Sequence, residues 1–205
     1  MDSSLQNLVV IEGAHGSGKT TIARSVVREL ASKRLRSVYT KEPHSRFLLQ
    51  PISSLSNLKT REPLALAYLV ATDRILHIDN IRRWIQGGAI VIADRYLPSS
   101  LVYQRIDGLS TALINCLNSF APRPQLTIYV EAPLSLRVKR LKRKRRSRPG
   151  NFFLTRKALG MEQDMYEDLI RKDTKHGPVL RIDGTLPTKR NGEAASTFIM
   201  RHLKK

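Results

Sequence analysis

Five short runs of apolar and β-branched residues punctuate the chain: Leu8–Glu12, Ser37–Lys41, Ala89–Asp94, Leu126–Glu131 and Val179–Asp183. Each is mostly apolar without strict alternation, as expected of a strand covered on both faces of a sheet. Between them, apolar residues recur at helical spacing near 19–34, 62–87, 99–120, 133–147, 154–175 and 187–203. Gly87-Gly88, Pro122 with Pro124, and the polar stretch 172–178 separate helices from the strands that follow. This alternation predicts an α/β fold: a five-stranded parallel sheet flanked by helices. Trp84, Leu113, Leu117 and Met161 are candidate core residues. No internal repeat interrupts the pattern, and 205 residues with 41% apolar content fit one domain spanning 1–205.

The first predicted strand runs directly into Gly13-Ala14-His15-Gly16-Ser17-Gly18-Lys19-Thr20-Thr21, and a predicted helix follows. Gly13-x-x-x-x-Gly18-Lys19-Thr20 is a phosphate-binding P-loop. Its glycines allow close backbone approach to an anion, and the helix N-terminus adds unpaired N–H groups and a favourable dipole. Residues 13–21 are thus candidate ATP ligands: Lys19 toward the β- and γ-phosphates, the Thr20 hydroxyl toward Mg²⁺. Ligands of such sheets bind at the carboxyl ends of the strands. There this sequence places Glu12, Lys41-Glu42, Asp94-Arg95, Glu131 and Asp183. Asp94 is a candidate metal ligand and Arg95 a phosphate grip; the alternative is a capping Asp beside an ordinary ion-paired Arg. Arg74, in the apolar stretch 64–74, needs a partner. Asp73 or Asp94 would serve, unless Arg74 turns into a pocket to bond a planar ligand.

Charge alters the picture further. The formal net charge is +19, and residues 137–148 carry nine positive charges and no negative one. Such a chain attracts polyanions: nucleotides, nucleic acid or acidic membrane. No apolar stretch approaches the roughly 20 residues of a membrane span. The N-terminal residues lack the pattern of a secretory signal, and Cys116 is the single cysteine. A cytoplasmic protein without disulfides is expected.

Glu12-Gly13 with the P-loop, Thr40-Lys41-Glu42-Pro43, Ala71-Thr72-Asp73-Arg74, and the run from Asp94-Arg95-Tyr96 to Tyr103-Gln104 stand in an order and spacing that resemble the thymidylate kinase family. Arg123 to Val130 resembles that family's fourth-strand segment, so the likeness extends from residue 8 to about 184. The resemblance implies transfer of the γ-phosphoryl of ATP to dTMP, with Mg²⁺ as cofactor and a homodimer as the assembly. It assigns Lys19 and Thr20 to the triphosphate and metal, with Asp94 near the metal. It assigns Arg95 to the acceptor phosphate, Arg74 to the acceptor base, Tyr103 and Gln104 to the sugar and base pocket, and Glu42 to the acceptor side. Residues 137–152 match a basic lid. The P-loop holds no arginine, so catalytic positive charge is expected from the lid, with Arg143 and Arg146 as leading candidates beside Arg140, Arg145 and Arg148.

Three positions depart from the family pattern. His15 stands where an acidic residue usually meets the sugar 3′-hydroxyl. Val70 stands where a phenylalanine usually stacks on the base, forgoing an interaction of roughly 1–3 kcal/mol. Pro43-His44-Ser45 replaces a more glycine-rich turn. His15 and Val70 motivate one alternative, a kinase with a different or broader pyrimidine acceptor; the +19 charge motivates another, an inactive nucleotide-dependent nucleic-acid-binding protein. Turnover across a panel of monophosphates separates them. Nucleic acid binding is otherwise a secondary role for the basic run.

Overall fold

The structure, a computed structural model, describes residues 4–56, 62–147, 156–172 and 177–203, with the backbone alone at 4 and 144–147. The strands are β1 (Ser4–Glu12), β2 (Ser37–Lys41), β3 (Ile90–Asp94), β4 (Arg123–Glu131) and β5 (Val179–Asp183). They form one parallel sheet in the order β2-β3-β1-β4-β5. Helices α1 (Lys19–Ser32), α2 (Arg46–Leu55), α3 (Pro63–Gln86), α4 (Leu97–Ile106), α5 (Thr111–Leu117), α6 (Leu134–Ser147), α7 (Arg156–Lys172) and α8 (Thr188–Leu203) flank it.

The period-two geometry of a strand divides β1 between two cores. Val9 and Ile11 join Ile22, Val26 and Leu30 of α1 and Ala195 and Ile199 of α8 on one face. Leu8 and Val10 meet Ile78 and Ile81 of α3 on the other, with Tyr96 beside them. All four strand residues are wholly buried. Each contributes about 1.5–3 kcal/mol, which explains a strand apolar at every position. A third cluster, Ala14, Val102, Tyr129 and Tyr166, packs α4 and α7 beside the P-loop. Because β1 lies in the middle of the sheet, the loop leaving it opens onto the carboxyl ends of β3 and β4.

Three expectations need correction. The helix expected over 99–120 is two helices, α4 and α5, because Gly108 turns the chain at a φ of +90°. The turn after Glu42 carries a helix, α2, that periodicity did not expose; it contains Pro51 and leaves Phe47 90% exposed. Met161 lies on the surface rather than in the core, while Leu113 and Leu117 are only half-buried. No helix among the described residues is long and apolar enough to cross a membrane.

Candidate active site

The P-loop connects β1 to α1, with Gly13, Gly16 and Gly18 all at positive φ. At Gly16 the freedom is steric as well as conformational: a Cβ there would stand 2.8 Å from the Arg137 carbonyl oxygen of α6. The loop faces a cleft of about 1090 Å³. His15, Gly16, Gly18, Lys19, Thr20 and Thr21 line it, whereas Gly13, Ala14 and Ser17 sit behind it. Lys19 is buried, its Nζ donating to the carbonyls of Gly13 at 2.5 Å and Ala14 at 2.9 Å. Burial and the nearby Arg95 charge lower its pKa to about 7, against the pull of Asp94 and Glu12.

Asp94 ends β3, paired in register with Ile11 of β1, so the sheet sets it beside the P-loop. The Thr20 hydroxyl donates to Asp94 Oδ2 at 2.5 Å, and the Tyr39 hydroxyl donates to the same oxygen at 3.2 Å. Asp94 Oδ1 and Ser17 Oγ are buried without a hydrogen-bond partner. Orphaned buried oxygens are costly unless a ligand completes them. Asp94 and the Thr20 hydroxyl bonded to it are hard-oxygen donors of the kind that suits Mg²⁺. Arg95 follows with a backbone φ of +81°, strain typical of functional positions. Its guanidinium lies 5.0 Å from the Tyr103 ring centroid and donates to Ser99 Oγ at 3.2 Å.

Beneath Arg95, Glu12 is wholly buried. Its carboxylate accepts from the Tyr96 N–H at 2.7 Å, the Ser99 hydroxyl at 2.8 Å and the Tyr166 hydroxyl at 3.0 Å. Burial pushes its pKa up, against Arg95 and these hydrogen bonds. Glu12 therefore fixes the start of α4, the element that carries Tyr103 and Gln104 into the cleft.

At the cleft's other end Glu42, Val70, Arg74, Arg95, Tyr103 and Gln104 come together. Gln104 is buried and its Oε1 has no partner. Val70 is half-buried and presents an apolar wall. Arg74 pairs with neither Asp73 nor Asp94. Its Nη2 donates to Glu42 at 2.6 Å and to Ser100 Oγ at 2.9 Å, its Nε to Glu42 at 3.1 Å, and its Nη1 to Asn118 Oδ1. A guanidinium has five N–H bonds, so one at most remains for a ligand. The Arg74 charge holds Glu42 below the usual carboxylate range, although burial works against it. Asp73 serves elsewhere, accepting the backbone N–H groups of His44 at 2.8 Å and Ser45 at 2.7 Å where α2 begins.

The basic helix α6 is partly structural. Arg140 donates to the carbonyls of Gly16, Ser17 and Gly184 at 3.2, 2.9 and 2.8 Å. Arg137 is wholly buried and pairs with Glu162 of α7 at 3.2 Å. Arg143 is exposed on the cleft rim. The Arg145 and Arg146 side chains, Arg148, the lid residues 148–152 and Phe152-Phe153 lie outside the described residues. His15 departs from the cradle role expected of its position, because its backbone N–H is already donated to Glu162 at 2.8 Å.

Glu162 and Arg137 were missed as site residues. The signal lay in helical spacing: Glu162 falls between Leu159 and Tyr166 on the buried face of α7, where a charge demands a partner.

A family model described as thymidylate kinase matches residues 11–191. The chain belongs to the thymidylate kinase family. Within this family the chain is 34% identical over 186 residues to a probable thymidylate kinase of Metallosphaera sedula, covering 90% of this chain and 87% of that protein. It is 34% identical over 139 residues to probable thymidylate kinase 1 of Saccharolobus solfataricus, covering 67% of this chain and 71% of that protein. Identity to a thymidylate kinase of Xylella fastidiosa is 35% over 152 residues, 72% of this chain and 71% of that protein.

Proposed function

We propose that the cleft transfers the γ-phosphoryl of ATP to dTMP, giving dTDP. As a member of the thymidylate kinase family the protein is an ATP-dependent kinase. The observation that carries the site reading is the joining of the P-loop to the end of β3, where Thr20 meets Asp94 and Arg95 stands alongside. In this reading the triphosphate lies on the N–H groups that open α1, with Lys19 swinging from its carbonyls to the β- and γ-oxygens. Thr20 and Asp94 would hold Mg²⁺, which when bound neutralises developing charge on the transferring group. Arg95 aligns the acceptor phosphate, and an acceptor oxygen attacks the γ-phosphorus as its bond to the β–γ bridging oxygen breaks. That acceptor oxygen is already ionised at neutral pH, so positioning and charge neutralisation carry the catalysis without a strong general base.

The base pocket is Val70, Gln104, the Glu42–Arg74 pair and Tyr103. Arg140 is engaged with backbone carbonyls, and of the remaining arginines of the basic segment Arg143, on the cleft rim, and Arg146 are assigned to the transferring phosphoryl. The chain acts as a single kinase domain. A homodimer is supported by an apolar stripe on α3, where Leu64, Tyr68, Ile75 and Leu76 are each about half exposed.

The test is ADP formation with ATP, Mg²⁺ and each common nucleoside monophosphate in turn. Selective turnover of dTMP is expected. Equal turnover of several pyrimidine acceptors would replace this reading with a broader kinase, and none at all with a non-enzymatic role.

A further inference from the structure

Arg74, His77, Asn80 and Arg83 stand three residues apart along α3, and a chain of hydrogen bonds joins them through Thr40 of β2 and His44 of the turn after it. From the surface inward, Arg83 Nη2 meets Asn80 Oδ1 at 2.5 Å, and Asn80 Nδ2 meets His44 Nε2 at 3.1 Å. His44 Nδ1 lies 3.3 Å from Thr40 Oγ1, which lies 2.7 Å from His77 Nε2. His77 Nδ1 lies 3.3 Å from Glu42 Oε1, and Glu42 Oε2 accepts Arg74 Nη2 at 2.6 Å. His77 is wholly buried, Thr40 and Glu42 are buried, and Arg83 is exposed. The His44 and His77 rings stack, with centroids 4.4 Å apart and 15° between their planes.

The donors and acceptors available to each side chain fix the direction of every link. A guanidinium can only donate, so Asn80 Oδ1 accepts from Arg83. Asn80 Nδ2 is left to donate, to His44 and to the Leu76 carbonyl at 3.3 Å. His44 Nε2 therefore carries a lone pair. Burial lowers the His44 pKa, so the ring is neutral near pH 7 and its one proton sits on Nδ1. That proton meets Thr40 Oγ1, and the single hydroxyl proton of Thr40 goes on to His77 Nε2. His77 then has its proton on Nδ1, facing Glu42. Burial works against ionisation of Glu42, but Arg74 holds it below the usual carboxylate range, and an ionised carboxylate only accepts. The chain thus runs from a surface arginine to a buried carboxylate with a donor facing an acceptor at each step.

The Glu42–Arg74 pair alone leaves the carboxylate free to turn, since Arg74 Nε lies 3.1 Å from both of its oxygens. His77 removes that freedom by taking Oε1, which leaves Oε2 to Nη2. Glu42 and Arg74 line the cleft, whereas His77 and His44 stand behind it. We propose that His77 is a positioning residue for the acceptor nucleotide, holding the Glu42–Arg74 pair in the orientation that receives the acceptor's base through a relay polarised from Arg83 and Asn80. This rests on the reading of Glu42 and Arg74 as acceptor-side residues. His44 is the link this chain adds, because a glycine-rich turn at 43–45 offers no ring between Asn80 and Thr40. Asp73 delivers that ring by accepting the His44 backbone N–H at 2.8 Å.

Two measurements on the full-length protein test this. The first is long-range ¹H–¹⁵N NMR of histidine-labelled protein near pH 7, with signals assigned by their loss in His44→Asn and His77→Asn. Both rings should be neutral, with the proton on Nδ1 and Nε2 bare. The His77 Nδ1 signal should move on addition of dTMP but not of ATP. The second is steady-state kinetics. His77→Leu, which removes the donor to Glu42, should raise the KM for dTMP about tenfold while the KM for ATP stays within about twofold. His77→Asn, whose amide donates in the place of Nδ1, should return the KM for dTMP to within about threefold of wild type. A purely structural role would instead lower the melting temperature of both variants and move the two KM values alike.

A proton on Nε2 of either ring, an unchanged KM for dTMP in His77→Leu, or no recovery in His77→Asn would overturn the proposal. If His77→Leu does not fold, the tautomers and the response of His77 to dTMP decide. Failure of wild type to phosphorylate dTMP at all would count against the kinase reading, while the tautomers would still test the relay.

Discussion

Nucleotide binding should take up a proton at Lys19. In the free protein this side chain is buried beside Arg95, and its pKa falls from 10.5 to about 7. At pH 8 roughly nine in ten Lys19 side chains are therefore neutral. A triphosphate in contact with Nζ restores the charged form, so binding at pH 8 should absorb about 0.9 proton. Affinity for the nucleotide should weaken about fifteenfold between pH 7 and 8.5. Isothermal titration of ATP at pH 8 in Tris and in phosphate reads the uptake directly, as the difference in heat divided by the difference in buffer ionisation enthalpy. ATP itself releases little proton at that pH, and Lys19→Arg, charged throughout, serves as the control and should show none. Equal heats in the two buffers, or an affinity flat over this range, would refute the reasoning. The same group acts oppositely on folding. Its unfolded form binds more protons between about pH 7 and 10.5, so its contribution to stability rises with pH across that window.

Three further outcomes are expected. Glu42→Ala leaves the Arg74 guanidinium buried without its main partner and should cost about 3–5 kcal/mol in urea unfolding; a loss below about 1 kcal/mol would mean Asn118 and Ser100 suffice. Val70→Phe should lower the KM for dTMP about tenfold by stacking on the base, with an unchanged melting temperature; an unchanged KM would place residue 70 away from the base. Gly184→Ala places a Cβ 2.4 Å from the Ser17 carbonyl oxygen and 2.8 Å from that of Glu131, so it should raise the KM for ATP and lower the melting temperature by several degrees. Differential scanning fluorimetry with and without nucleotide checks this, and a wild-type profile would show that the P-loop yields freely.

The central strands β1, β3 and β4 were legible because they are buried on both faces, and the half-buried edge strands β2 and β5 also fall where their runs stand. The P-loop and the Asp94-Arg95 pair were legible because their chemistry is local, a few residues in a fixed order at the end of a strand. Long-range pairing was not. Arg74 announced a need for a partner, but nothing in its neighbourhood pointed to Glu42, 32 positions away and brought in by the turn after β2. Basic residues misled in the opposite sense. The nine charges of 137–148 read as one basic lid, yet Arg137 and Arg140 turn inward to hold the P-loop. A charge count cannot distinguish a buried guanidinium from an exposed one; helical spacing can, since Leu134, Arg137 and Leu141 share a face.

The nucleotide cradle stands near the start of the chain, yet it depends on almost everything that follows. Its strand pairs with β3 on one side and with β4 on the other, through partners such as Val91 and Leu126. Its loop is braced by Arg137, Glu162 and Arg140, and Gly184 packs against it. During synthesis the phosphate-binding sequence would therefore leave the ribosome before β3, β4, α6 and α7 and acquire its working shape only after them, since such non-local pairing must await its distant partners. Capacity to hold a nucleotide is in this sense a report on the whole polypeptide. A nascent or truncated chain that stops before α7 carries the motif without the grip.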